Sequence, residues 1–156
     1  MSEIAFLGHA SNHYPEFFER YRGYAHALLT EDLRVQPALQ VDAVTTEQSG
    51  YEAANQLLEK GIAFDAIFAA SDLIAIGAMK ALHERGIRVP EDVAVAGFDD
   101  IPMAGFVNPS LSTVQQDTKL AGQILVETLL ALINNEPAQS RTIPVKLALR
   151  RSSGAL

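Results

Sequence analysis

Val89-Pro90-Glu91-Asp92-Val93-Ala94-Val95-Ala96-Gly97-Phe98-Asp99-Asp100 decides how this chain is read. Pro90 and the two acidic residues after it make a turn. Val93 to Ala96 are the small and β-branched apolar residues that a strand covered on both faces requires. Gly97 closes the run and lets another part of the chain come close. Asp99 and Asp100 then stand at the strand's carboxyl end, the side on which open parallel sheets hold ligands.

Upstream, the same kind of short apolar run recurs at Ile4 to Leu7, Leu39 to Val44 and Ala66 to Ala70. Helical patterns separate these runs. Pro15 suits the first turn of a helix reaching Thr30, with Phe17, Phe18, Tyr21, Ala25 and Leu28 on its apolar positions. Thr45 or Thr46 caps a second helix that Gly61 stops. Ser71 caps a third, with Asp72 in its first turn where the helix dipole favours a negative charge, and Gly86 ends it. That helix has too many apolar residues for one stripe. Ile74, Ala78, Ala81 and Leu82 fit a face on the sheet, whereas Leu73, Ile76 and Gly77 fall on an adjoining face that needs a partner. Downstream, Ile101 to Pro109 is irregular and Ser112 to Val114 is a short extended piece. Asp117 caps a helix from Lys119 to Ile133, and an extended tail runs from Thr142 to Leu149. Strands alternating with crossover helices predict an α/β fold, a doubly wound parallel sheet in which the ends of the first, third and fourth strands line one crevice.

Composition narrows the function. With 156 residues, 48% of them hydrophobic, the chain is long enough to bury a sizeable core. A net charge of −7 leaves no basic surplus for phosphates, so this chain by itself is not expected to bind nucleic acid. The absence of cysteine removes disulfides, thiol nucleophiles and cysteine-held zinc. No apolar run is long enough to span a membrane, and the first residues lack the basic-then-apolar pattern of a secretory signal; a cytoplasmic protein is expected.

Catalytic templates fit poorly. There is no phosphate-binding Gly-x-x-x-x-Gly-Lys-Ser/Thr, no Gly-x-Gly-x-x-Gly after the first strand and no Gly-x-Ser-x-Gly elbow, so neither enzyme activity nor a cofactor is expected. His9 and His13 are four apart but lie in a loop, where the plainer reading is two solvated histidines and no metal; His26 and His83 read as surface residues. Adjacent Asp99 and Asp100 on extended backbone point apart, so at most one faces a ligand. That one would accept hydroxyl hydrogen bonds, while the other would serve the following turn. Arg20 is either a solvated helix arginine or, one turn before Gly23, a side chain of the crevice. Ser71 and Asp72 are either a cap alone or members of the same site.

Three blocks carry a resemblance: Ala69-Ala70-Ser71-Asp72-Leu73-Ile74-Ala75-Ile76-Gly77-Ala78-Met79-Lys80-Ala81-Leu82, then Gly86 to Asp100, then Leu111-Ser112-Thr113-Val114-Gln115-Gln116-Asp117. With Arg20-Tyr21-Arg22-Gly23-Tyr24 and Ser49-Gly50-Tyr51-Glu52-Ala53-Ala54, their order and spacing resemble the effector-binding region of lactose-repressor-like (LacI/GalR family) transcription regulators. The resemblance implies the periplasmic-binding-protein type I (Rossmann-like) fold and a sugar-like or purine-like effector. It places Arg20, Ser71, Asp99 and Gln116 at the ligand and Leu73, Ile76 and Gly77 at a dimer interface. Thr45 stands where many relatives place an aromatic ring. By the same resemblance the chain is expected to be a truncated, carboxyl-terminal portion: residues 1–116 as one effector-binding subdomain, 117–141 as a crossover helix belonging to an absent subdomain, and 142–156 as a return strand and tail. A transport-type sugar-binding protein and a small α/β enzyme are the alternative readings.

Overall fold

The computed structural model describes residues 3–155. Four parallel strands, β1 (Ile4–Leu7), β2 (Gln40–Val41), β3 (Ala66–Ala69) and β4 (Ala94–Ala96), form one sheet in the order β2-β1-β3-β4. The order reverses between β1 and β3, which opens a crevice beyond their carboxyl ends. The helices are α1 (Pro15–Thr30), α2 (Glu47–Glu59), α3 (Asp72–Glu84) and α4 (Thr118–Ile133).

Right-handed crossovers place α1 on one face of the sheet and α2 with α3 on the other. On the α1 face Phe6 meets Tyr21 and Tyr24 at 5.3 Å between ring centroids, and the Tyr24 hydroxyl donates to Ile4 O. On the opposite face α2 and α3 lie against one another. Two glycines set that distance: an added Cβ at Gly50 would stand 2.2 Å from Ile74 O, and one at Gly77 would stand 1.9 Å from Glu47 O. Gly77 is therefore buried between the two helices. The close helix crossing uses its missing side chain. Leu73 and Ile76 stay partly exposed.

The caps follow the sequence. Thr46, not Thr45, accepts the Ser49 N–H, Ser71 accepts that of Ile74, and Asp117 that of Leu120. Two strands are shorter than expected. Pro37–Leu39 form a 3-10 turn ahead of β2, which among the described residues has only β1 beside it. β4 begins at Ala94 rather than Val93, and after it left-handed backbone at Asp99 (φ 119°) and Asp100 (φ 56°) turns the chain.

Beyond that turn β5 (Thr113–Gln116) comes alongside the β4 end, with Gly97 N–H donating to Ser112 O and Asp99 N–H to Val114 O. It pairs antiparallel with β6 (Val145–Ala148). Arg150 to Ser153 then return to the sheet, where Ser152 Oγ donates to Val95 O and accepts the Ser112 N–H. Between β5 and β6, α4 has no buried residue. No helix among the described residues is long and apolar enough to cross a membrane.

Candidate functional site

Three of the four ligand residues expected from the sequence meet beyond the carboxyl ends of β3 and β4. Arg20, from α1, donates through Nη1 to Ala70 O at 2.5 Å, and its Nη2 lies 3.5 Å from Asp99 Oδ1. Gln116 Nε2 donates to the same oxygen at 2.9 Å. The guanidinium lies over the Phe98 ring, with Cζ 4.0 Å from its centroid, which fixes its plane. Among the described residues nothing donates to Asp99 Oδ2, so one carboxylate oxygen remains open to a ligand.

Burial dominates the electrostatics of both charged groups. Burial raises the Asp99 carboxyl above its ordinary range, against the pull of Arg20 and the Gln116 hydrogen bond. Burial also lowers the Arg20 guanidinium, against the attraction of Asp99. Each charge has lost more solvation than its partner at 3.5 Å restores.

Ser71 does not join this surface. It is 1% exposed, and its Oγ accepts the Ile74 N–H as an N-cap. Its side chain is turned into the cap of α3 and away from the surface that Arg20, Asp99 and Gln116 share. Asp100 points away from Asp99, accepting from Arg150 Nη2 at 2.7 Å and Gln115 Nε2 at 2.9 Å. The divergence was expected, but its cause is positive φ at both residues rather than extended backbone.

The structure adds to the expectations for Asp72 and His9. Asp72 is fully buried; Oδ1 accepts the Thr113 hydroxyl at 2.5 Å and Oδ2 the Ile101 N–H at 2.9 Å. It ties the start of α3 to both segments that flank Asp99. The available signal was Gly97, where an added Cβ would stand 2.3 Å from Asp72 Oδ1. His9 is not solvated as expected: it stacks on Tyr14 at 4.0 Å, and its Nε2 is buried with no partner among the described residues. Stacking on a neighbouring ring in the loop has no signature in sequence spacing. His13, His26 and His83 are exposed. Among the described residues no group of three or more histidines and carboxylates is placed to hold a metal.

A larger concavity of about 910 Å³ lies at the other end of β4, between Met79, Ile87, Pro90, Pro109 and Arg151. It is far from the strand ends where the polar groups converge, and the smaller site beside Asp99 has the better chemical claim.

Comparison with known proteins identifies the fold's lineage. Residues 1–153 match the family described as periplasmic binding protein-like domain, and the chain belongs to that family. Within it, the relatives are regulators of the lactose-repressor type. The HTH-type transcriptional regulator AscG of Escherichia coli (strain K12) is 41% identical over 152 residues, which is 97% of this chain and 45% of that protein. A structure of the transcriptional regulator CelR in complex with cellobiose superposes with a TM-score of 0.87 at 34% identity, covering 96% of this chain and 46% of that one. The lac repressor dimer bound to operator and the anti-inducer ONPF gives a TM-score of 0.90 at 31% identity, covering 99% and 53%. The chain thus spans about half the length of the relatives that it matches.

Proposed function

We propose that this chain is the effector-sensing part of a cytoplasmic transcriptional regulator, and that Arg20, Asp99 and Gln116 grip a small hydroxylated ligand, sugar-like or purine-like. The observation that carries this reading is the Asp99 carboxylate, half-withdrawn from water with one oxygen uncommitted among the described residues, 3.5 Å from a guanidinium that burial has also desolvated. A carboxylate and an arginine so placed accept from and donate to adjacent hydroxyls of one ring. The sugar held by CelR in its own complex supports a sugar-like effector. Ser71 contributes as the residue that positions the start of α3, not as a contact.

The rest of the chain fits the same reading. Residues 1–116 form one subdomain, residues 117–141 cross to a second lobe that covers α4, and residues 142–156 return to the first. Leu73 and Ile76 form part of a face between two copies. Ligand binding shifts the balance between lobe orientations, and a DNA-binding part outside this chain reads the shift.

The test is a titration of the ¹⁵N-labelled chain with ribose, glucose, galactose, cellobiose, adenine, guanine and hypoxanthine. At least one compound is expected to move the amide signals of Gly97 to Asp100 and Gln116. Asp99→Ala is expected to weaken that binding about tenfold to a hundredfold, as for loss of a hydrogen bond to a charged group. Shifts confined to other surfaces, or unchanged by Asp99→Ala, defeat the assignment.

A further inference from the structure

The concavity of about 910 Å³ at the other end of β4 stands apart from the grip and has chemistry of its own. Its volume lies in the range of about 300 to 1,000 Å³ that small-molecule sites occupy. Met79 of α3, then Ile87, Val89 and Pro90 of the segment leading into β4, and Pro109 give it an apolar lining. Two arginines stand at its wall, and they differ. Arg88 is committed: its Nε and Nη2 donate to Asp92 at 2.8 and 2.6 Å, and these hydrogen bonds lower the Asp92 carboxyl to about 2. Arg151 is exposed, and among the described residues no carboxylate pairs with it, although its neighbour Arg150 holds Asp100 at 2.7 Å. The turn that carries Arg151 is fixed, because the buried Ser152 donates to Val95 O and accepts the Ser112 N–H.

We infer that this concavity binds a small monocarboxylate with an apolar body, Arg151 taking the carboxylate and Met79, Ile87 and Pro90 the hydrocarbon. The site is separate from the Asp99 grip and does not depend on it. Charge is the first argument. A guanidinium presents paired donors that match the two oxygens of a carboxylate, and Arg151 has no such acceptor among the described residues. The carbonyls that end α3 at the concavity do not oppose an anion, since the N–H groups of Arg85, Gly86 and Ile87 take up those of Ala81, Leu82 and His83. Glu91, on the same lining, sets the limit: it repels a doubly charged phosphate more than a singly charged carboxylate. The apolar lining is the second argument. A hydrocarbon laid on it removes apolar surface from water on both sides, which a bare anion such as acetate hardly does.

The test titrates the ¹⁵N-labelled chain at neutral pH with phenylacetate and hexanoate, with phenylethanol and hexanol as their uncharged counterparts, and with phenyl phosphate and acetate. At least one of the two larger carboxylates is expected to give saturable shifts at the Ile87, Arg88 and Arg151 to Gly154 amides while Gly97 to Asp100 stay unmoved. It should bind at least about fivefold more tightly than its alcohol, and more tightly than phenyl phosphate or acetate. Arg151→Gln should remove the preference for carboxylate over alcohol without moving the urea midpoint, since the side chain is exposed. Arg151→Lys should keep part of it. No saturable shift from either larger carboxylate, equal affinity of carboxylate and alcohol, or a preference that survives Arg151→Gln overturns the site. Phenyl phosphate binding as tightly as phenylacetate overturns the ligand class, and acetate binding as tightly as the larger carboxylates overturns the role of the apolar lining. Shifts confined to Gly97 to Asp100 place the ligand in the grip and overturn the second site.

Discussion

The sheet body and the α4 lobe use apolar residues in opposite ways. In the body, Phe6, Leu7, Leu57, Ile67, Ile74, Leu82 and Val95 are all nearly or fully buried. In the lobe, Leu125, Val126, Leu129, Leu130, Leu132 and Ile133 are each more than half exposed on a helix of similar length to α1. Apart from the stripe of Lys119, Gln123 and Glu127, α4 is apolar around most of its circumference, and a helix so written anticipates cover on more than one side. The difference teaches that α4 is specified for contacts that these residues do not themselves supply, while the body is complete within them.

The largest expected effect falls where the body is tightest. Gly77→Leu drives a side chain into the Glu47 carbonyl and the Tyr51 backbone, neither of which can yield without separating α2 from α3. We expect a loss of at least about 3 kcal/mol in urea unfolding. An unfolding midpoint unchanged from the parent would show that the helix pair is looser than the body's packing implies.

The next pair addresses the comparison directly. Leu57→Ala empties a fully buried site and should cost about 2 to 5 kcal/mol. Leu129→Ala, on an exposed site of the same residue type, should change unfolding by no more than about 0.5 kcal/mol. A Leu129 penalty equal to that of Leu57 would mean that α4 is already covered, for instance by a second copy of the chain, and light scattering on the Leu129→Glu variant would then show a smaller particle.

Asp72 separates body from site. Asp72→Ala leaves the Ile101 N–H and the Thr113 hydroxyl without their acceptor, a loss of about 2 kcal/mol. Because these two partners flank Asp99, the same variant should also weaken ligand binding, measured by titration at a temperature where it remains folded. Stability lost without any change in affinity would confine Asp72 to the body.

How much of this was legible beforehand follows a physical line. Elements defined by local chemistry were readable: Pro15 opening α1, Ser71 and Asp117 capping α3 and α4, and the apolar runs of β1 and β3. Arg20, Asp99 and Gln116 lie 79 and 17 residues apart, yet parallel-sheet topology and the family resemblance placed all three near the same strand ends. Direction of side chains was not readable. Gly77 and Leu73 are both small-to-medium apolar positions on one helix, and only the crossing with Gly50 decides that one faces inward. Ser71 carries the same residue type whether it caps or contacts a ligand. The buried Ser152, Ser112 and Asp72 hydrogen bonds join segments about 40 residues apart or more, and polar side chains of that kind have no periodic signature.

The smallest expected effect lies in the grip itself and depends on pH. Asp99 has its carboxyl raised above the ordinary range by burial, with Arg20 only partly offsetting this. For an acid whose folded pKa exceeds its unfolded one, the protonated form is the one that folding favours. That contribution is therefore fully present below the ordinary aspartate range and is lost as pH rises through the raised value. Asp99→Asn, which cannot ionise, should remove this one component of the pH dependence of unfolding in the window just above the ordinary range. Ligand affinity should run the other way, falling as pH drops through the same window, because the ionised carboxylate is the better acceptor for hydroxyl donors. Measured together, opposite slopes for stability and affinity, both flattened by Asp99→Asn, identify a carboxylate held at a cost to the body for the sake of the site. Parallel slopes would place the titrating group elsewhere.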